Sequence, residues 1–338
     1  MNSRWTFLDL TYNKSNITAE LEGHIKDWTF TDNLSGQIDD LQITLEDVDH
    51  KWLGEWFPAK GDLIEAVVYK REWKDQLQKT KIGKFEVDEI EAAGPPSDIT
   101  IKALSVPESS SLRGQEKFRA WENTTLKVVA GDIAGQNGLK LYFEAGDDPK
   151  KERYEQESET DLAYLYKLCN DEGLCLKLSS GSIVILDEAD YEAKPPVATI
   201  KRVSVEGDEI QVISWQAKTT LSGTYRSARV QYHDSSTKNT ITASFAPPNP
   251  PKVGRVLVIK NEIKSVAEGQ KLAKKKLREA NKTATTVSMT VVSEKHLDAG
   301  MTIALEKFGK FDGKYIITQA VHSQSKVTLQ LRRCLEGY

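Results

Sequence analysis

Leu41-Gln42-Ile43-Thr44-Leu45 alternates apolar and polar residues, the period-two signature of a strand with one buried face. Far down the chain, Val287-Ser288-Met289-Thr290-Val291 repeats that pattern, and similar elements follow each of the two in the same order. After the first, Gly61-Asp62 turns into a strand at 63–69, followed by Gly83-Lys84-Phe85-Glu86-Val87 and Ile99-Thr100-Ile101. After the second, Ala299-Gly300 turns into 301–305, followed by Gly313-Lys314-Tyr315-Ile316-Ile317 and Val327-Thr328-Leu329. The spacings differ because the first copy carries two insertions. One of them is an aromatic cluster, Trp52, Trp56 and Phe57, closed by Pro58. The reading is an internal duplication of a strand-rich unit.

Between the copies the periodicity changes. After Pro107, Leu126, Val129, Ala130, Ile133 and Ala134 share one helical face, with Thr124 or Thr125 as cap and Asn137-Gly138 as stop. A second helix carries Leu162, Leu165, Tyr166 and Cys169, and a hairpin at 174–178 and 183–186 follows through Ser179-Ser180-Gly181-Ser182. Strands are then expected at 198–205, 209–216, 227–232 and 240–245, with Pro247 to Pro251 as a stiff connector. A helix near 265–280 opens on a Ser265/Glu268 capping box and shows the stripe Val266, Ala273, Leu277 and Ala280. Asp312-Gly313 reads as a tight hairpin turn. The expected fold class is mainly β with an α+β insertion: a first β domain at 1–106, a mixed helix/hairpin domain at 107–195 and a second β domain at 196–338.

Composition narrows the function. A chain of 338 residues suggests two or three domains, and 39% hydrophobic with 28% charged content is that of a folded protein. A net charge of -4 leaves no basic footprint for tight nucleic-acid binding. The stretch Met1 to Leu10 lacks the apolar run of a signal peptide, and runs such as Ile183-Val184-Ile185-Leu186 are too short to span a membrane. Three cysteines without a Cys-x-x-Cys pair suggest neither a disulfide framework nor a zinc site.

No chemical constellation stands out. The five histidines, His24, His50, His233, His296 and His322, are scattered. In Tyr232-His233-Asp234, strand neighbours point to opposite faces, so a base with its orienting carboxylate is disfavoured. Adjacent acids such as Asp88-Glu89, Asp147-Asp148 and Asp187-Glu188 do not predict two carboxyls held apart across a cleft. Cys169 reads as a buried small hydrophobe, Ser109-Ser110-Ser111 lacks a nucleophile elbow, and Lys274-Lys275-Lys276 with Arg278 reads as a solvated face. We therefore assign no catalytic, cofactor-binding or metal-binding residue. The tryptophan cluster is the best surface candidate, either as a partner-binding hot spot or as a loop packed on its own core.

Several segments carry a resemblance. Asp40 to Tyr69, with Leu-Gln-Ile-Thr-Leu-Glu-Asp, Trp52-Leu53, Trp56-Phe57-Pro58 and Gly61-Asp62, resembles the late-control protein D family of contractile phage tails. So do Trp121 to Gly138, Glu157 to Leu178, the helix through Lys274 to Ala280, Phe308-Gly309-Lys310-Phe311-Asp312-Gly313-Lys314-Tyr315, and the closing Arg332-Arg333-Cys334-Leu335-Glu336-Gly337-Tyr338. The resemblance implies a non-enzymatic baseplate hub of a phage or tail-like bacteriocin, without cofactor. It implies a homotrimer with two tube-type β domains per chain, joining a hexameric tail tube protein to a trimeric spike. The chain ends at the second tube domain, so the spike is expected as a separate protein, with other baseplate proteins as further partners. DNA would pass the channel without specific binding. The chain would be made in a bacterial cytoplasm, without membrane insertion, and assembled into the baseplate. Two alternatives are a tail-associated peptidoglycan hydrolase and a carbohydrate-binding tail module with the tryptophans in a groove.

Overall fold

Alternation of apolar and polar residues builds most of the strands, and strand pairing settles which of them correspond. The computed structural model describes residues 5–71, 77–106, 110–179, 181–205, 208–234 and 238–338. Met1, Pro107, Ser109 and Ser180, named above, lie outside them. The chain divides into two units: Met1–Asp187 with Thr290–Ala299 and Gln319–Thr328, and Glu188–Met289 with Gly300–Thr318 and Leu329–Tyr338. No described helix is long and apolar enough to cross a membrane.

In the first unit, antiparallel strands run in the order Ile25–Asn33, Asp40–Glu46, Asp98–Leu104, Leu77–Ala93, Leu63–Arg71, Trp5–Tyr12. Leu41, Ile43 and Leu45 face the core with Phe85, Ile99 and Trp28. Each such fully buried side chain stabilises by about 1.5–3 kcal/mol. The mixed segment has its own core, in which Leu126, Val129 and Ile133 of the helix Leu126–Gln136 meet Leu165 and Cys169 of Asp161–Asp171. Thr160 caps the second helix by accepting from the Ala163 N–H, whereas Thr125 makes no side-chain cap on the first. The hairpin Leu174–Ser179 with Ser182–Asp187 is present, and Lys140–Glu144 pairs parallel to it.

One element here escapes periodicity. Glu116–Thr125 and Lys150–Thr160 form an antiparallel ribbon where no strand was expected. Most of its side chains are polar or charged, so no hydrophobic alternation announces it. It is held by cross-strand pairs instead: Arg119 donates to Gln156 at 2.8 Å, and Arg153 stands opposite Glu122.

In the second unit, Tyr225–Asp234 pairs antiparallel with Asn239–Phe245 and parallel with Arg255–Ile259, a strand not expected from the sequence. The helix Val266–Asn281 packs on this sheet through Ala273 and Leu277. Ser265 caps it by accepting from the Glu268 N–H, and Glu268 accepts from the Lys264 N–H. Its stripe differs from the expected one: Val266 is exposed, and Gly269 is buried where a Cβ would come within 2.7 Å of the Ala243 Cβ. The strand expected at 198–205 ends at Lys201. Beyond it, Asp208 pairs with Lys201 at 3.0 Å and accepts from the Val205 N–H.

The duplication is visible in the pairing. Asp40–Glu46, Asp98–Leu104, Leu77–Ala93 and Leu63–Arg71 are neighbours in that order, and Thr285–Ser293, Val327–Arg333, Gly313–Ser323 and Thr302–Glu306 repeat it. Ile25–Asn33 flanks the first set as Ile210–Thr219 flanks the second. The hydrogen bonds repeat as well. Gly61 and Val87 are linked N–H to C=O as are Gly300 and Ile317, and the Val87 N–H reaches Asp62 as the Ile317 N–H reaches Met301. The Thr44 and Thr100 hydroxyls meet at 3.2 Å, and those of Thr290 and Thr328 meet at 3.2 Å.

The Asp312-Gly313 turn is not the tight hairpin expected. A 3-10 turn, Gly309–Phe311, fills the connection, and Gly313 already opens the strand Gly313–Ser323 opposite Leu305. Asp312 is used locally instead, its carboxylate accepting from the Phe308 N–H at 2.6 Å. Gly313 still requires glycine, because its φ is +139°. Gly313→Val is expected to cost at least about 1 kcal/mol through backbone strain; a thermal melt unchanged from wild type would contradict this.

Candidate functional site

The aromatic loop divides between the two readings open for it. The Asp47 carboxylate, itself buried, accepts from the N–H groups of Trp52 and Leu53 at 3.0 and 3.1 Å and so closes the loop. This seats Trp52 in the core, with Trp56 edge-on to it at 5.4 Å and the Lys51 ammonium 5.3 Å from the Trp56 ring. Trp56 and Phe57 remain exposed on the rim of an apolar cavity of about 310 Å³, floored by Leu10, Ile43, Leu45 and Ile64. A glycan platform would need the three rings exposed along a groove, whereas Trp52, which lines the same cavity, is only 7% exposed. Exposed aromatics above an apolar cavity suit a protein partner better.

The other residues weighed from the sequence fall into structural roles. Cys169 is fully buried, and burial pushes its thiol up to about 12, far from a neutral-pH nucleophile. The His233 ring meets Thr240 across the strand pair at 2.9 Å. Arg278 does not belong to a solvated face: it is buried and its guanidinium meets Glu192 at 2.6 Å. Among the described residues no group of three or more His, Cys, Asp or Glu side chains could hold a metal ion.

Charge clusters form where the sequence showed only scattered acids and bases. In the first unit Asp161 is fully buried and accepts from Lys117 at 2.6 Å, Asn137 at 3.0 Å, Gln156 at 3.1 Å and Arg119. Burial pushes its carboxyl up, but these donors outweigh it and hold the group below the usual carboxylate range. Asp32 and Asp39 share Lys177, and burial, only partly opposed by that ammonium, pushes Asp39 up to about 7. His296 and His322 stack 5.6 Å apart over Asp298, whose carboxylate lies 2.6 Å from the His296 Nε2. The only local sign of this cluster is the i, i+2 spacing of His296 and Asp298 on either side of Leu297.

The second unit holds a further cluster. Glu188 and Glu192 lie one turn apart on Glu188–Ala193, and both meet Arg332 while Arg278 meets Glu192. The Glu192 carboxylate also accepts from the Leu335 N–H at 2.8 Å. The rest of the closing segment is equally tied. Arg333 donates to the carbonyls of Lys310 and Asp312 at 3.0 Å, and the Tyr338 hydroxyl accepts from Asn281 at 2.8 Å. Glu188, one of the adjacent acids at 187–188, is thus engaged in a structural ionic cluster.

A strand edge is also left open among the described residues. Ile210–Thr219 ends its sheet, and it exposes Ile213 and Trp215, the latter packed edge-on against Phe308 at 5.1 Å. An open strand edge with large apolar side chains normally requires a partner.

Residues 86–327 match the model of the phage tail baseplate hub (GPD) family. The chain belongs to that family. It is 28% identical over 207 residues to a probable baseplate hub protein of Escherichia phage 186, covering 60% of this chain and 51% of that protein. It is 29% identical over 182 residues to a probable baseplate hub protein of Escherichia phage P2, covering 52% and 44%. The chain therefore spans about half the length of the curated relatives it matches. In fold it is similar to the tail protein from Neisseria meningitidis MC58, with a TM-score of 0.72 at 14% identity and 97% of each chain covered.

Proposed function

We propose that the chain is the trimeric adaptor of a contractile tail, joining a hexameric tube to a trimeric spike. The observation that carries this reading is the duplication within one chain, down to repeated hydrogen bonds at Val87 and Ile317 and at Thr44 and Thr290. Three chains with two similar β domains each, at 1–106 and 196–338, present six positions to the tube and threefold symmetry to the spike. The symmetry mismatch is then resolved within one polypeptide. The segment 107–195 is the inserted domain between them.

Its partners are two more copies of itself, the tube protein, a separate spike protein and other baseplate proteins. The role is structural, not enzymatic, and DNA passes without specific contacts. The chain is made in the bacterial cytoplasm and enters the baseplate without inserting into a membrane. Cryo-EM of an assembled baseplate is the test. Three copies with both β domains lining the channel are expected; six copies, or one domain per chain in the wall, would overturn the proposal.

A further inference from the structure

We infer that the cavity beneath Trp56 and Phe57 is a socket for a tyrosine side chain of a partner protein, presented next to a lysine or arginine. The inference adds a partner's chemistry to the structural role above and does not depend on copy number.

The cavity floor is aliphatic, built by Leu10, Ile43, Leu45 and Ile64, and its volume of about 310 Å³ is at the small end of ligand-sized pockets. Its wall is aromatic, with Trp52 and Trp56 edge-on at 5.4 Å and Phe57 beside them in the chain. Such a wall gives an entering ring faces and edges to pack on.

One polar atom is left over. The Trp52 indole Nε1 is buried and has no hydrogen-bond partner among the described residues, in a side chain that lines the cavity. Buried donors are almost always paired, so the occupant is one that brings an acceptor. The aliphatic floor offers none. The Tyr12 hydroxyl, also on the lining, is engaged: it donates to Asp62 and accepts from the Ala59 N–H at 3.4 Å. A phenol supplies both parts, an apolar ring and an oxygen at its tip, whereas phenylalanine or leucine would leave the indole N–H unmet.

Charge narrows what stands beside the ring. The charged residues on the lining are Glu20 and Glu55, both exposed, and no lysine or arginine lines it. Lys51, which lies against the Trp56 ring, is off the lining and paired with Asp49 at 3.5 Å. An anion at the mouth would face two carboxylates, and a cation complements them. The rim favours a protein over a free phenol. Trp56, Phe57 and Leu53 of the same loop are exposed, and a small molecule in the socket would leave them in water. An anchor residue brings a surrounding surface that covers them.

The test titrates the full-length chain with tyramine, a phenol carrying an ammonium, and follows the Trp52 indole N–H by NMR, assigned with Trp52→Phe. Tyramine should shift that resonance saturably, in the millimolar range of a ligand of about ten heavy atoms. It should bind about tenfold more tightly than phenethylamine, which lacks the hydroxyl, because the indole N–H then stays unmet. It should also bind more tightly than para-hydroxyphenylpropionate, whose carboxylate faces the two glutamates. Trp52→Phe, read at the Trp56 indole, should erase the preference for the hydroxyl, and Glu20→Gln with Glu55→Gln the preference for the ammonium. Absence of a saturable shift, or equal binding of tyramine and phenethylamine, overturns the inference. In purified tails, Phe57→benzoylphenylalanine should photo-cross-link to a second polypeptide at or beside a tyrosine that adjoins a lysine or arginine. Should that chain not assemble, Leu53→benzoylphenylalanine takes its place. A cross-link to a segment without tyrosine, or none, overturns the protein partner even where tyramine binds.

Discussion

Arg332→Met is expected to destabilise the second unit by about 3–5 kcal/mol, because removing one partner of a buried ionic network leaves the others uncompensated. Arg332 is 2% exposed and meets both Glu188 and Glu192, which are themselves buried. Lys282 lies 3.7 Å from Glu188 and Arg278 meets Glu192, so the loss is partly cushioned and the lower half of that range is the better expectation. The pH dependence gives an independent check. Burial pushes the Glu188 carboxyl up, but the charges of Arg332 and Lys282 outweigh it and hold it below its ordinary value. A carboxyl depressed in the folded state contributes stability above its unfolded value of about 4.3, and that contribution is lost as pH falls through the folded one. Wild type and Arg332→Met should therefore differ most near neutrality and converge in acid. Urea melts at neutral and acidic pH read this directly, and equal midpoints at neutral pH would refute it. The quadruple change Glu188→Gln, Glu192→Gln, Arg278→Met, Arg332→Met should recover much of the loss, since neutralising a whole buried network is often close to neutral in stability.

Asp161→Ala is the second large effect, at about 3 kcal/mol. Its carboxylate is the common acceptor for Lys117, Arg119, Gln156 and Asn137, so its removal leaves a buried Gln156 amide and two cations without their partner. The two cations are each about a fifth exposed and can turn to water, which keeps the cost below the upper range for a buried pair. The sign follows as for Glu188: the stability is present above the unfolded aspartate value of about 3.9 and lost as pH falls through the depressed folded one. Asp161→Asn separates charge from shape, and should fall between wild type and Asp161→Ala in a thermal melt. An Asp161→Ala chain melting with wild type would show that the ribbon Glu116–Thr125 and Lys150–Thr160 is held by other contacts.

Much of the strand pairing was illegible because it joins residues distant along the chain. Trp215 reads as one more apolar residue in a strand until its sheet is seen to end there with the ring 40% exposed. The pairing of Thr29–Asn33 with Gln319–Ser323 joins residues almost three hundred positions apart, and nothing local announces it. The aromatic loop was legible as a feature but not as a division between buried Trp52 and exposed Trp56 and Phe57, which depends on where Asp47 anchors its backbone.

The sequence by itself determined the duplicated strand order, the helices Leu126–Gln136, Asp161–Asp171 and Val266–Asn281, and with them the mainly β class. These are local matters: period-two and period-3.6 burial, a cap such as Ser265 and a stop such as Gly138 are written in neighbouring residues. Tertiary structure alone decided the polar ribbon, the parallel strand Arg255–Ile259, the Gly269 contact and the clusters around Asp161 and Arg332. In each of these the stabilising partner is distant in sequence. A charge buried beside its counter-ion reads no differently along the chain from one in water, because desolvation and Coulomb energy depend on position in space.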